Sequence, residues 1–421
     1  MVKRRVGTSK LLRMKGSENT DDLISGLPDN LLHHIMSFLN TREAVQTCIL
    51  SKRWKNVWRT LPYLYLNFND FKLDVSNRYS PDLFMDFVSN LLLHRDPTCL
   101  HTFQLDCRYP LDSDDEIISG WARYALMHNP RVLSLLVPND AASQLCHSVF
   151  NCTSLEELHF GYINMLDQIK LVPETIVAPH LRHLRLYNVQ LNEKFMEKMF
   201  SECPGLTDLH LVWCSLKIRS IRSQKLKCLT LHQCEYEVEM QLIDAPSLTE
   251  LCIKGLEAIR YEINITSMPS LLKVVVSYSF LQPRWSVIFP RFSNVQQLEL
   301  KGPSIETLLE TELPTCPIFH NLRSLFIQLH CRTCDIALTA NFVRYCPKLE
   351  ELVLSLDYHC QCATTLTNVF RETRISKQLR TVTLFRPKLL RKIKVHHIDC
   401  CIRAEQIVQA LKHRGLWECR N

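Results

Sequence analysis

The sequence predicts an α/β protein in which a small N-terminal three-helix unit precedes a long, irregular solenoid with a parallel β-sheet. Three observations lead to this prediction. A short apolar phrase recurs from residue 100 onward, apolar residues stand at helical spacing before residue 60, and glycine is rare, at 9 of 421 residues. We find no glycine-rich phosphate loop and no hydrolase or metalloprotease motif, so an enzyme is not expected.

The N-terminal unit begins with "LPDNLLHHIMSFLNTREAVQTCILSKRWKNVW", residues 27 to 58. Pro28 suits a first helical turn, and Asp29 complements the positive end of the helix dipole. Apolar residues then recur at helical spacing: Leu31, Leu32, Ile35, Phe38 and Leu39. A unit of roughly 40 residues has little interior of its own. The surplus apolar surface must therefore contact the following repeats or a partner protein.

The recurring phrase consists of an aliphatic residue, two variable positions, an aliphatic residue, one variable position and another aliphatic residue. It begins at Leu100, Val132, Leu155, Leu181, Leu206, Leu226, Leu248, Leu271, Val295, Leu322, Leu349 and Leu379. Successive phrases begin 20 to 32 residues apart. The phrase closely matches the leucine-rich repeat (LRR), whose period is about 20–29 residues.

Alternation within the phrase predicts a short strand that is buried on one side. Stacked repeats then form a parallel sheet with a shared core, and the intervening segments return along the convex side as helices or loops. "NEKFMEKMFSEC", residues 192 to 203, has the spacing of such a helix. Cysteines at equivalent repeat positions are predicted to pack in the core: Cys152, Cys203, Cys214, Cys234 and Cys346.

Residues 22 to 66 resemble an F-box, the helical unit that docks onto the Skp adaptor of SCF ubiquitin ligases. The resemblance rests on "LPDNLL" and "LSKRW"; Asn30 and Asn40 depart from it, standing where many members carry glutamate and proline. It implies that the adaptor is contacted by Leu27, Pro28, Leu31, Leu32 and Ile35, and that Leu39, Val45 and Leu50 hold or extend this surface. It also implies that Trp54 and Trp58 serve the F-box core and its junction with the repeats. The alternative is that the stretch only caps the solenoid.

With its repeats, the chain resembles plant F-box/LRR-repeat proteins. We find no FBD signature, the C-terminal segment of some relatives, and we predict a basic helical cap there. The expected organisation is a disordered basic tail (1–20), the F-box (22–66), a linker or start of the solenoid (67–99), the repeats (100–385) and the cap (386–421).

The resemblance implies a substrate-recognition subunit of an SCF-type E3 ubiquitin ligase. The F-box binds the adaptor and, through it, the cullin and RING subunits, while the repeats bind a protein substrate. No catalytic residue and no cofactor are expected. Two alternatives stay open: a small-molecule-dependent receptor of the same architecture, and a non-degradative scaffold that binds the adaptor without the cullin-bound ligase.

Charge and cysteine content bear on partners and compartment. The formal net charge is +7, but residues 1–16 hold six basic residues and no acid, and residues 386–421 hold nine basic and three acidic residues. Because the basic charge belongs to the ends, nucleic-acid binding is unlikely to be the function. No apolar run approaches membrane-spanning length. The nineteen cysteines without a signal peptide favour reduced thiols in the nucleus, the cytoplasm or both.

Residues that flank the buried strand positions should line the concave face of the sheet. We select six of them as a candidate substrate site for an acidic or phosphorylated segment, with Arg185 as the principal donor: His159, His183, Arg185, Tyr187, His210 and His232. The alternative is an ordinary solvated polar face.

One weak metal candidate comes from cysteines that follow adjacent strands. "HCRTC" and "DYHCQC" place Cys331, Cys334, Cys360 and Cys362 at similar offsets in successive repeats. Four thiolates can bind zinc tetrahedrally, although the CxC spacing is poor for it. Ordinary thiols are the favoured interpretation, and we predict no bound metal.

Overall fold

A computed structural model describes residues 24, 26–72, 80–107, 115–162, 169–170, 173, 175–236, 242–255, 264–266, 268–277, 289–302, 316–329, 339, 341–356 and 389–396. The chain divides into two compact units, residues 1–61 and 62–421. Across the part of the chain just defined, the helices are all too short or too polar to cross a membrane.

The first unit is built from three short helices, α1 (Asp29–Met36), α2 (Thr41–Gln46) and α3 (Trp54–Val57), with 3-10 turns at Thr47–Ile49 and Trp58–Thr60. Its core consists of buried side chains from every helix and the chain that follows: Leu32, Met36, Ala44, Trp54, Val57 and Leu61. Leu27, Leu39 and Trp58 pack against this core and are partly buried. The predicted three-helix unit is therefore present.

The second unit is built on short strands. In chain order these are β1 (Tyr63–Asn67), β2 (Thr102–Asp106), β3 (Val132–Leu136), β4 (Glu157–Gly161), β5 (Ile169–Lys170), β6 (His183–Tyr187), β7 (Val189–Asn192), β8 (Asp208–Val212), β9 (Ser215–Lys217), β10 (Ser220–Arg222), β11 (Cys228–His232), β12 (Glu235–Tyr236), β13 (Leu242–Asp244), β14 (Glu250–Lys254), β15 (Asn264–Ile265), β16 (Lys273–Ser277), β17 (Gln297–Lys301), β18 (Ser324–Leu329), β19 (Glu351–Leu356) and β20 (Lys392–His396).

One parallel sheet of 13 strands runs in the order β1-β2-β3-β4-β6-β8-β11-β14-β16-β17-β18-β19-β20. The second and fourth residues of β1 to β19 in this sheet are buried, as with Leu184 and Leu186 of β6, whereas the first, third and fifth residues of β6 are not. This alternation confirms the predicted α/β repeat fold, in which one side of each strand enters a shared core and the other side is exposed.

The structure differs from the sequence interpretation in three details. The sheet begins with β1 at Tyr63, before the phrase at Leu100 and inside the range assigned to the F-box. At the C-terminal end, β20 pairs with β19, so residues 392–396 form a strand where a helical cap is predicted. In β3, Leu133 and Leu135 align with the buried pair of β2. The repeat phrase starting at Val132 is therefore two residues out of register. The phrase at Leu379 lies outside the described residues.

Helices lie in several of the returns between the strands: α4 (Pro81–His94), α5 (Asp115–Met127), α6 (Asn139–Phe150) and α7 (Glu193–Glu202). β8 and β11 start only 20 residues apart, at residues 208 and 228, and this return contains the short strands β9 and β10. Two small parallel sheets result, β10-β13-β15 and β12-β9-β7-β5. The predicted helix at 192–203 is confirmed as α7, capped by the Asn192 side chain.

Two of the predicted core cysteines link neighbouring repeats. The thiol of Cys214 donates to the carbonyl of Leu186 at 3.5 Å, and that of Cys234 donates to the carbonyl of Leu211 at 3.4 Å. Both cysteines are buried, as are Cys152, Cys203 and Cys346. Each bond therefore joins a buried thiol to a main-sheet carbonyl of an earlier strand.

A left-handed residue directly follows several strands of the main sheet. Asn188, Trp213, Gln233 and Gly255 have φ values of 52°, 54°, 51° and 65°. Each donates its backbone N–H to the carbonyl of the last residue of the next strand, at 2.7–2.9 Å. The turn therefore extends the interstrand ladder by one bond, although only one of these residues is a glycine.

Candidate functional site

Two neighbouring stripes run along α1 of the first unit. Leu32 and Met36 point inward and are 0% and 1% exposed. Leu31, Ile35 and Phe38, spaced by four and three residues, form the outer stripe and are 44%, 40% and 78% exposed. The inner stripe builds the core, and the outer stripe leaves apolar surface in solvent.

A second set of apolar side chains on this unit is also exposed. Ile49, the last residue of the 3-10 turn that follows α2, is 84% exposed, and Leu50, directly after the turn, is 64% exposed. Among residues 26–61, Phe38 and Ile49 are the most exposed large apolar residues, yet neither is among the predicted contact residues. Both residues are apolar, but helical spacing alone does not show which of two adjacent stripes faces outward.

The predicted contact residues do not all lie on the outside. Leu31, Ile35 and Leu50 are exposed apolar side chains, and Pro28 is exposed at the start of α1. Val45 is partly buried, as are Leu27, Leu39 and Trp58, which pack against the core. Leu32 and Trp54 are buried in the core. The expectation that Leu32 faces a partner is wrong, because its side chain is enclosed by the three helices.

Local hydrogen bonds fix the ends of these helices. The Asn40 side chain accepts from the Glu43 backbone N–H at 2.8 Å, and the Glu43 carboxylate accepts from the Asn40 backbone N–H at 3.2 Å. This capping box starts α2 and shows what asparagine supplies at a position where a proline is usual. Asp29 at the start of α1 pairs with Arg53 at 2.8 Å.

The six predicted substrate residues all lie on the exposed side of the main sheet. His183 stands in the row of first strand residues, and Tyr187 and His232 stand in the row of fifth residues. The third-residue row brings His159, Arg185 and His210 together, because β4, β6 and β8 align them side by side. The structure therefore forms one continuous surface from residues of four different repeats.

Arg185 is the central cation of this surface. It is partly buried, and among the described residues it has no hydrogen bond or ion pair. Burial and the charge of Arg185 hold the pKa of His159 below its ordinary value, although Glu157, in contact at 2.8 Å, acts in the opposite direction. Burial and Arg185 also lower the pKa of His210, against Asp208. Both imidazoles therefore favour their neutral form, in which they can accept a hydrogen bond.

Beside the arginine lies a group of residues that the sequence interpretation missed in part. His183 Nδ1 lies 3.1 Å from Asp208 Oδ2, and the Thr207 hydroxyl donates to the same oxygen at 2.5 Å. His210 Nε2 lies 3.9 Å from the Sγ of Cys228 on the next strand. A sequence signal existed, since Asp208 and His210 flank a buried leucine and Cys228 occupies the equivalent of Asp208 one repeat later. The predicted zinc candidate, Cys331, Cys334, Cys360 and Cys362, lies outside the described residues.

Comparison with known proteins agrees with both units. The family model described as "F-box domain" matches residues 24–65, and the model described as "FBD-associated F-box protein At5g56370, LRR repeats" matches residues 118–277. The chain therefore combines an F-box with LRR repeats, as its relatives named F-box/LRR-repeat proteins do.

Relatives of this F-box/LRR-repeat protein match along most of their length. "F-box/FBD/LRR-repeat protein At5g22700" of Arabidopsis thaliana is 29% identical over 371 residues, which cover 80% of the chain and 80% of the relative. "F-box/FBD/LRR-repeat protein At5g22660" of the same plant is 26% identical over 362 residues, covering 80% and 77%. The names of both relatives include FBD; residues 397–421 of the present chain lie outside the described residues, so its lack of an FBD segment stays a prediction.

Proposed function

We propose that this F-box/LRR-repeat protein is the substrate-recognition subunit of an SCF-type E3 ubiquitin ligase. The observation that carries the proposal is the set of apolar side chains that the F-box unit leaves in solvent: Leu31, Ile35, Phe38, Ile49 and Leu50. Exposed apolar surface of this extent on so small a unit is typical of a protein-binding site. In this proposal a Skp-type adaptor covers it.

The division of labour follows from the two units. The F-box supplies the apolar docking surface, and the exposed side of the main sheet supplies polar and charged groups for a substrate. The chain itself performs no covalent chemistry in this scheme. It raises the effective concentration of a substrate lysine near the E2 enzyme that cullin and its RING subunit recruit. We place this activity in the nucleus, the cytoplasm or both.

Co-purification with a Skp-type adaptor tests the docking step. The double substitution Phe38→Asp and Ile49→Asp introduces a carboxylate at two positions whose side chains are 78% and 84% exposed. Folding should therefore be little affected, whereas an apolar interface should be disrupted. The matched control is Met127→Asp, at a methionine of α5 that is 81% exposed. Binding should be lost only in the double variant. Equal binding by the wild type and the double variant, or no wild-type complex, would contradict the proposal.

Addition of the cullin and RING subunits separates a ligase receptor from a scaffold. We expect the adaptor complex to bind them in one assembly on size-exclusion chromatography. A stable adaptor complex that does not bind cullin would instead support the non-degradative scaffold.

For the substrate we propose an acidic or phosphorylated segment that pairs with Arg185. The support is a guanidinium without an ion-pair partner among the described residues, flanked by two imidazoles that carry a proton more readily once an anion is near. A phosphopeptide array tests this, with matched unphosphorylated peptides. Arg185→Glu should abolish the phosphate-dependent signal, whereas Lys301→Glu, at a lysine already paired with Glu299 at 2.7 Å, should retain it. A signal that is unchanged in Arg185→Glu would refute this substrate class.

A further inference from the structure

Three potential metal ligands converge on the exposed side of the main sheet. Asp208 and His210 are the first and third residues of β8, so their side chains leave the same face. Cys228 is the first residue of β11 and pairs directly with Asp208. One ligand atom from each of the three residues lies within 4.8 Å of the other two. The parallel register of two repeats therefore brings the thiol of Cys228 to a carboxylate and an imidazole that lie 20 and 18 positions earlier in the chain.

We propose that Asp208, His210 and Cys228 bind a zinc ion. The chemistry of the ligands is that of zinc, which takes nitrogen and sulfur together with carboxylate oxygen. Zinc bound at about 2.3 Å to sulfur and about 2.0 Å to nitrogen holds those two atoms roughly 3.5 Å apart. The Cys228 Sγ and His210 Nε2 are already 3.9 Å apart. Small side-chain rotations thus complete the coordination without moving the strands.

The surroundings orient and charge this site. Asp208 is held from its other side by His183 at 3.1 Å and by the Thr207 hydroxyl at 2.5 Å, which is the arrangement that positions a carboxylate ligand. Burial and the carboxylates of Glu250 and Asp208 raise the pKa of Cys228 to about 11. The same negative charges attract a divalent cation, and the cation in turn displaces the thiol proton. Arg185, close to His210, opposes the cation, so the affinity depends on this balance.

Three protein ligands leave one position of a tetrahedral zinc open toward solvent. All three residues are partly exposed, so that position faces the side of the sheet where a substrate is proposed to bind. A histidine, cysteine or carboxylate of a bound protein fits there as the fourth ligand. This last step rests on the proposed function, whereas zinc binding itself does not and is measured without adaptor or substrate.

Cobalt titration of the full chain under reducing conditions tests the proposal. Cobalt reports a thiolate ligand through a charge-transfer band in the near ultraviolet, and zinc should displace one equivalent of it. Cys228→Ser should remove the band, and His210→Ala and His183→Ala should each weaken zinc binding at least about tenfold in competition with a chromophoric chelator. The matched controls are Cys252→Ser and His232→Ala, on neighbouring positions of the same face, which should bind like the wild type.

The other cysteines make the comparison of variants decisive. A band that persists in Cys228→Ser, or that disappears in Cys331→Ser instead, would overturn the proposal, as would the lack of any stoichiometric band at micromolar cobalt. Circular dichroism of each variant checks that the strands are retained. Loss of the band in Cys228→Ser with an unchanged spectrum of the fold supports the site.

Discussion

Substitution to alanine should mainly reduce folding stability at one of two neighbouring leucines of α1 and mainly weaken binding at the other. Leu32 is 0% exposed within the F-box core, and Leu31 is 44% exposed on the outer stripe. Truncation of a buried leucine to alanine costs about 2–5 kcal/mol, because transfer free energy is lost and a cavity remains. For roughly 36 residues, 26 to 61, a usual stability of about 0.05–0.15 kcal/mol per residue totals about 2–5 kcal/mol. Leu32→Ala should therefore remove most of the stability of the F-box unit.

Leu31→Ala should mainly affect binding. It deletes three carbons, worth about 0.8 kcal/mol each on full burial, so the fraction already buried contributes about 1 kcal/mol to folding. The exposed 44% contributes about 1 kcal/mol more when a partner covers it, or roughly fivefold in adaptor affinity.

Hydrogen exchange read by mass spectrometry on the full chain measures both effects. Peptides from residues 26–61 should lose their protection in Leu32→Ala and keep nearly all of it in Leu31→Ala. Strands of the repeat unit, which has its own core, serve as the internal reference. Equal protection of the two variants, or a larger loss in Leu31→Ala, would refute the assignment of inner and outer stripes.

Three further predictions concern the repeats. Gly161→Ala should destabilise the repeat unit by more than about 2 kcal/mol in chemical unfolding, because φ is +141° and an added Cβ would lie 2.0 Å from the carbonyl oxygen of Tyr187. Gly120→Ala should instead stabilise the unit by about 1 kcal/mol, because Gly120 lies in α5 and an added Cβ there meets no atom within 4 Å. The pKa of His159 in the folded protein is below its ordinary 6.5, so the unfolded chain binds the proton more readily, and this histidine should lower the melting temperature as pH falls from about 7.5 to about 5.5. Arg185→Gln should raise the His159 pKa in an NMR titration. An unchanged or lower pKa would contradict the assigned cause. In the native protein iodoacetamide should modify the exposed Cys99 long before Cys346, whose pKa is raised by burial, and peptide mapping that finds equal rates would be inconsistent with the repeat core.

Most of the repeat fold is predictable from the sequence because its signal is repeated and strongly apolar. The failures occur where alternation is ambiguous. In β3 three consecutive residues, 133 to 135, are buried, so apolar side chains do not distinguish the two faces and the phrase can be placed two residues late. In β20 lysines flank the buried Ile393, and a short basic strand has the same composition as a basic helix. β1 follows the F-box so closely that its apolar residues were assigned to that unit.

The functional surfaces are less predictable for a geometric reason. Periodicity identifies an apolar side of α1. Whether Leu31 or Leu32 is the outer residue, however, depends on where α2 and α3 pack. The residues of the sheet face could be selected from strand alternation alone. The cluster of Asp208, His210 and Cys228 could not, because it requires the register between two repeats whose spacing is irregular.

In strands such as β6 the two sides of the sheet have separate roles. The second and fourth residues maintain the stack, while the first, third and fifth residues are accessible to a partner. A point substitution such as one at Arg185 can therefore alter what is recognised at almost no cost to folding. Duplicated copies of such a gene can diverge on the exposed side of the sheet while they keep the same core, and a designer who exchanges the outward residues of three adjacent strands has the same freedom.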